Sequence, residues 1–167
     1  VGLSTGLIYL PGTYSKTDEI VELAKVSAAY GGLYASHMRN ESIRVFEAID
    51  EFLTVAKEAK IRAELSHIKV GGEAMWGKSP EILQKLERAR EDGFEITQDQ
   101  YAYTASSTSL SVLIPDAYLE GGNDAFKLRM ADAEIRKKAG SEMKDILQKR
   151  STKDYTYAVI ANCNSNK

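Results

Sequence analysis

Cysteine is nearly absent from this chain of 167 residues: Cys163 stands alone. No internal disulfide is therefore available, and apolar packing has to hold the fold, as is usual in a reducing compartment. Long apolar runs are missing too. Stretches such as residues 110–114 fall far short of the roughly 20 residues that cross a bilayer, and no basic-then-apolar signal segment opens the chain. A membrane is not an expected partner, and the cytoplasm is the expected location. Charge of one sign is lacking as well: 22 Lys and Arg face 24 Asp and Glu, a formal net charge of -2. That balance speaks against nucleic acid, which favours a basic surface, and leaves a small molecule or a protein as partner.

What is present is enough for a core. Hydrophobic residues make up 43% of the chain and charged ones 28%, the range of a soluble globular unit and not of a disordered one. The first residues, Val1-Gly2-Leu3, already lie in an apolar run without an initiating Met, and Asn164-Ser165-Asn166-Lys167 closely follow another. Natural termini are usually polar and frayed, so an internal piece of a longer protein is expected.

Short β-favouring runs alternate with segments of helical period, the pattern of βα units around a parallel sheet. Strands are expected over residues 6–9, 33–36, 62–66 and 94–98. Thr17 is a good N-cap for a helix over 18–30, with Ile20, Leu23, Ala24 and Ser27 on one face and Gly31-Gly32 as its stop. A second helix is expected over 41–60. A third opens at Ser79-Pro80, runs through Ile82, Leu83, Leu86 and Ala89, and ends at Gly93. Successive strands start about 30 residues apart, the length of one βα unit, which suits either a (β/α) barrel or a doubly wound sheet.

The rhythm breaks after Tyr103. A hydroxyl-rich loop, Thr104 to Ser109, precedes two expected helices, one after Gly121-Gly122 and one around residues 132–149. A further strand is expected over 155–161. The intervening helices read as an inserted subdomain or lid, or else as ordinary barrel helices.

The two histidines carry the sharpest signal. His37 ends Tyr34-Ala35-Ser36-His37 and His67 ends Glu64-Leu65-Ser66-His67, the same point in successive units. Neighbouring parallel strands lie about 4.8 Å apart, so two imidazoles there can converge on one ion at Zn–N distances of roughly 2.0–2.1 Å. The C-terminal rim is also where barrel enzymes place their chemistry. From the residues alone, a metal pair and two satisfied structural histidines are evenly matched. Cys163 reads as a small buried residue more readily than as a ligand. Lys69 and Arg39 each lie two positions past a histidine and can reach for an anionic group or simply face solvent. Asp99 and Tyr101 end the fourth strand and Tyr9 the first, where they can orient ligand or substrate; loop packing explains either tyrosine equally well. Gly71-Gly72 and Gly121-Gly122 lack a phosphate-cradling pattern and read as turns.

Taken together, Gly2-Leu3-Ser4-Thr5-Gly6-Leu7-Ile8-Tyr9-Leu10-Pro11-Gly12, Tyr34-Ala35-Ser36-His37-Met38-Arg39-Asn40-Glu41, Ser66-His67-Ile68-Lys69 and Asp99-Gln100-Tyr101-Ala102-Tyr103-Thr104-Ala105-Ser106-Ser107-Thr108 resemble the N-acyl-D-amino-acid deacylases, or D-aminoacylases, of the amidohydrolase superfamily. The motifs cover most of residues 1–108; residues 116–163 are similar to the family's inserted segment, less specifically. The resemblance implies an α/β fold, a partial TIM barrel with a mostly helical insertion. Its parts would be a catalytic barrel portion at 1–108, a helical lid at 109–152 and a returning strand at 153–167. It implies hydrolysis of the amide of an N-acylated D-amino acid by a zinc-activated water, with Zn2+ as cofactor. On the matching positions, His37 and His67 resemble the two zinc ligands of consecutive strands. Tyr9, Lys69, Tyr101 and Ser106 resemble the groups that bind or polarise the substrate, Tyr9 and Lys69 with catalytic roles. A related cyclic-amide hydrolase of the dihydroorotase kind, or a non-catalytic scaffold, are the alternatives.

The departures bear on activity. The family's early His-x-His pair, early metal-ligating cysteine and late proton-accepting aspartate have no counterpart here, and Ala102 replaces a usual proline. Two histidines fall short of the three protein ligands usual at a catalytic zinc site, so the chain by itself is expected to be inactive. A barrel opened after about half its strands also exposes sheet edges, which opens a route to self-association.

Overall fold

The computed structural model describes residues 1–161; Cys163 lies outside them. Four short strands, β1 (Leu3–Gly6), β2 (Leu33–His37), β3 (Arg62–Leu65) and β4 (Ile96–Gln98), form one sheet in the order β1-β2-β3-β4, and every neighbouring pair is parallel. Three helices fill the crossovers: α1 (Thr17–Ala29), α2 (Val45–Ala59) and α3 (Ser79–Glu91). The α/β class and parallel sheet expected from the alternating pattern are therefore present.

Side-chain alternation explains where the core sits. Along β2, Tyr34 and Ser36 are buried while Leu33, Ala35 and His37 are only half-buried; along β3, Ala63 and Leu65 are the buried pair. Successive residues of a strand point to opposite faces, so one face meets the helices and the other stays open. On the helix side Tyr34 stacks on Phe52 of α2, ring centroids 5.7 Å apart, amid Val45, Ile49, Val55, Leu65, Ile82 and Leu86. α1 lies against α2.

Local chemistry sets the boundaries. α2 begins at Val45, four residues later than expected, because Asn40 Oδ1 accepts from the backbone N–H of both Ser42 and Arg44 and holds residues 40–44 in a turn. Asx side chains compete with helix in this way. It ends on Lys60 in the left-handed region, φ 50°. α1 starts at Thr17 itself; the Thr17 hydroxyl, expected to cap the helix, instead donates to Glu51 Oε1 at 2.8 Å. The buried face of α1 is Ile20, Val21 and Ala24, whereas Leu23 is 48% exposed. β1 lies earlier than expected, so Tyr9 falls in the turn after the strand instead of closing it.

Beyond the sheet, α4 (Gly122–Ala131) and α5 (Ala133–Lys149) appear where two helices were expected. Asp132 caps α5 by accepting from the N–H of Glu134 and Ile135. This helical part is tied to the sheet part by Thr13 Oγ1 and Tyr14 Oη, which donate to the side chain and carbonyl of Asp116 at 2.6 and 3.0 Å. The strand expected over 155–161 does not form; these residues are turns and irregular chain. Tyr155 instead donates to the Met143 carbonyl at 3.1 Å, and with Tyr157 it lines a small apolar hollow against Ile146 and Leu147 of α5. An apolar run becomes a strand only where a sheet edge is offered to it, and here α5 takes it first. No helix among the described residues is long and apolar enough to cross a membrane.

Candidate metal and substrate centre

The open face and the C-terminal ends of β2 and β3 bring the two histidines together. His37 is the last residue of β2, and Ser36 is in register with Leu65, so His67 stands one residue past the point level with His37. His67 Nε2 lies 2.5 Å from His37 Nδ1, and the ring centroids are 4.3 Å apart. Burial, and next the neighbouring His67 ring, hold His37 below the ordinary imidazole range, so its ring is neutral near pH 7 and offers a nitrogen lone pair.

His67 occupies the left-handed region at φ 40°, uncommon for a residue with a side chain and frequent at functional sites. Asp99 over-determines that corner. Its carboxylate accepts the His67 N–H, its carbonyl accepts the Ile68 N–H at 3.0 Å, and its own N–H donates to the Leu65 carbonyl at 3.3 Å. Asp99 thus braces a candidate ligand through its backbone.

The expected substrate groups mostly gather here. The Tyr9 ring is edge-on to His37 at 5.8 Å, and Tyr101 is 6.3 Å from the His67 ring. Lys69 Nζ sits 5.5 Å from the Tyr101 ring centroid, donates to the His67 carbonyl at 3.0 Å, and lies 2.7 Å from His67 Nδ1. Ser106 is different: it lies in an exposed loop, and among the described residues no hydrogen bond links it to this cluster. A groove of about 620 Å3 runs along β1 and the following loop, walled by Thr5, Gly6, Tyr9 and Tyr14, without reaching the histidines.

Two residues have partners that the sequence did not announce. Arg39 does not project to the rim: its guanidinium grips both carboxylate oxygens of Glu51 at 2.8 and 2.9 Å and donates to the carbonyls of Thr13 and Ser15 at 2.8 and 2.9 Å. Glu41, expected inside a helix, points into the cluster with Oε1 2.7 Å from Lys69 Nζ.

The donor set suits a zinc ion in kind: two adjacent imidazole nitrogens facing one another. It falls short in number, because among the described residues no group of three His, Cys, Asp or Glu side chains is placed to hold an ion.

Comparison with known proteins decides the relationship. The chain is 44% identical over 116 residues to an N-acyl-D-glutamate deacylase from Alcaligenes xylosoxydans xylosoxydans, a match covering 70% of the chain and 23% of that protein. The chain is a homologue of the N-acyl-D-amino-acid deacylases. A D-aminoacylase from the same organism is 38% identical over 112 residues, covering 66% of the chain and 22% of that protein. Among solved structures, the N-acyl-D-glutamate deacylase of Bordetella bronchiseptica, complexed with zinc and a phosphonate mimic of the tetrahedral intermediate, superposes with a TM-score of 0.63 at 37% identity, over 72% of the chain and 25% of that protein. A D-aminoacylase described as defining a novel subset of amidohydrolases gives a TM-score of 0.61 at 34% identity, over 64% of the chain and 22% of that structure. No family model matches. The chain spans about a quarter of the length of these deacylases.

Proposed function

We propose that this chain contributes two zinc ligands and part of the substrate site to a hydrolase that cleaves the amide bond of N-acyl-D-amino acids. The observation that carries the reading is the meeting of His37 and His67, side by side at the ends of adjacent parallel strands. Homology to deacylases, one of them solved with zinc, supports the chemistry. The consecutive strand order, with no reversal, favours a barrel sector over a doubly wound sheet. In this reading residues 1–108 form that sector, 109–152 a helical insertion, and the cytoplasm is the place of action.

His37 and His67 would hold the ion, which when bound supplies a low-pKa water and polarises the scissile carbonyl. Lys69 would bind the substrate carboxylate as a point charge. Tyr9, 40% exposed beside His37, would donate to the oxyanion that develops on the carbonyl oxygen. Tyr101 would wall the site next to Lys69, and Ser106 would reach it from its loop. Remaining ligands and the general base would come from elsewhere in the protein, and open sheet edges give the isolated chain a route to self-association.

Zinc content and N-acetyl-D-amino-acid hydrolysis of a longer protein containing this chain test the reading with His37→Ala and His67→Ala. Loss of zinc and of turnover in both variants is expected. Unchanged zinc binding in both would leave the histidines a purely structural role.

A further inference from the structure

The environment of the second His67 ring nitrogen bears on how the ligand is prepared. His67 Nε2 faces His37, and Nδ1 faces two charged groups: Lys69 Nζ at 2.7 Å and Glu41 Oε1 at 3.4 Å. The side chains of Glu41, Lys69 and His67 are 16, 21 and 22% exposed, so solvent competes only weakly for these contacts. The backbone under Glu41 is fixed from both sides. Its carbonyl accepts the Gly71 N–H at 2.7 Å, joining the loops after β2 and β3, and Asn40 braces the turn that follows.

A neutral imidazole carries one proton. While the Lys69 ammonium donates to Nδ1, that nitrogen is an acceptor and the proton sits on Nε2, where it blocks the lone pair. For Nε2 to act as a ligand the proton must reside on Nδ1, and an N–H cannot face an ammonium that has only donors. Nδ1–H then needs an acceptor, and among the described residues Glu41 is the carboxylate paired with this ring. Metal-bound histidines are generally oriented by such an acceptor on the other nitrogen.

Resting on the proposed metal role of His67, we propose that Glu41 is a positioning residue: its carboxylate accepts the His67 Nδ1–H in competition with the Lys69 ammonium and so fixes the tautomer that leaves Nε2 free. Lys69 and Glu41 therefore act on His67 in opposite directions, Lys69 favouring the blocked tautomer and Glu41 the ligating one. A residue with a merely structural role would give no such opposition.

The test is zinc titration of a longer protein that contains this chain and of its Glu41→Ala, Glu41→Gln and Lys69→Met variants, with long-range 1H–15N NMR of the histidine rings as the second readout. Glu41→Ala is expected to weaken zinc binding by about 10- to 100-fold, and Glu41→Gln, which keeps an acceptor oxygen, by less. Lys69→Met is expected to bind zinc at least as tightly as the unaltered protein. The NMR spectra should show His67 protonated on Nδ1 in the zinc-loaded protein and on Nε2 in metal-free Glu41→Ala. Equal zinc affinity and equal ring protonation in the unaltered protein and Glu41→Ala would overturn the role of Glu41 while leaving His67 a ligand. Should Glu41→Ala fail to fold, a Lys69→Met protein that binds zinc more weakly would overturn it instead. Absence of zinc from the unaltered longer protein would overturn the metal reading itself.

Discussion

Replacing Arg39 with Met should unfasten the loop between β1 and α1, because that one guanidinium joins three parts of the chain. It makes two bonds to Glu51 on α2 and one each to the carbonyls of Thr13 and Ser15 in the loop. Methionine keeps much of the apolar stem and removes all four. A hydrogen bond to a charged group contributes about 1.5–3 kcal/mol, and breaking a fully buried ion pair costs about 3–5 kcal/mol. The Arg39 and Glu51 side chains are 24 and 11% exposed, so water recovers part of the loss and a net cost of roughly 2–3 kcal/mol is expected. At about 2–4 °C per kcal/mol for a chain of this size, Tm should fall by roughly 5–10 °C. Thermal unfolding followed by far-UV circular dichroism gives the number. Limited proteolysis should show earlier cutting in residues 9–16, since the Thr13 N–H is bonded to the Tyr9 carbonyl and the loop moves as one piece. Arg39→Lys should recover less than half, having no fork for two oxygens. A Tm within about 2 °C of the unaltered chain for Arg39→Met would refute the clamp.

Asp99→Ala removes the carboxylate that accepts the His67 N–H; Asp99 is exposed, so a loss of about 1 kcal/mol in urea unfolding is expected, and zinc affinity should fall with it. At His67 itself, where φ is 40°, Asn should be more stable than Ala because Asn tolerates the left-handed region; the reverse order in urea would contradict the strain. Burial holds the Tyr34 phenol above its ordinary value, with the neighbouring hydroxyls of Ser36 and Thr5, the latter donating to the phenol oxygen at 3.2 Å, pulling the other way. The raised folded value means that this contribution is full below the unfolded tyrosine value of about 10 and is lost as pH rises through the folded one. Urea midpoints between about pH 8 and 11.5 should therefore decline less steeply in Tyr34→Phe, and equal slopes would count against it. Asp132→Ala should cost about 1 kcal/mol by uncapping α5, read as lost helicity and a lower Tm; no change would show that the cap is idle.

How much of this was legible in the sequence depended on how local the cause was. The Ser79-Pro80 start of α3, the Gly93 stop and the pairing of His37 with His67 follow from neighbouring residues and a repeat of about 30. Arg39 and Glu41 were read differently because their partners, Glu51, Thr13 and Lys69, are distant in sequence and meet them only through the loops. The Asn40 turn delayed α2 and put Glu41 in the cluster instead of on a helix. The run at 155–161 shows the limit of apolar patterning: the same residues suit a strand or a cover for α5, and the available neighbour decides.

A sheet in which every strand pairs with its neighbour in sequence also has an order in time. Such pairings close loops of only about one βα unit, a modest entropic cost compared with a sheet whose central strands wait for distant partners. His37 and His67 come side by side once β3 docks on β2, before α4 and α5 leave a ribosome. The imidazole pair, with the lysine and carboxylate that flank it, thus needs only the stretch from residue 33 to residue 69, one βα unit and the strand and loop that follow it.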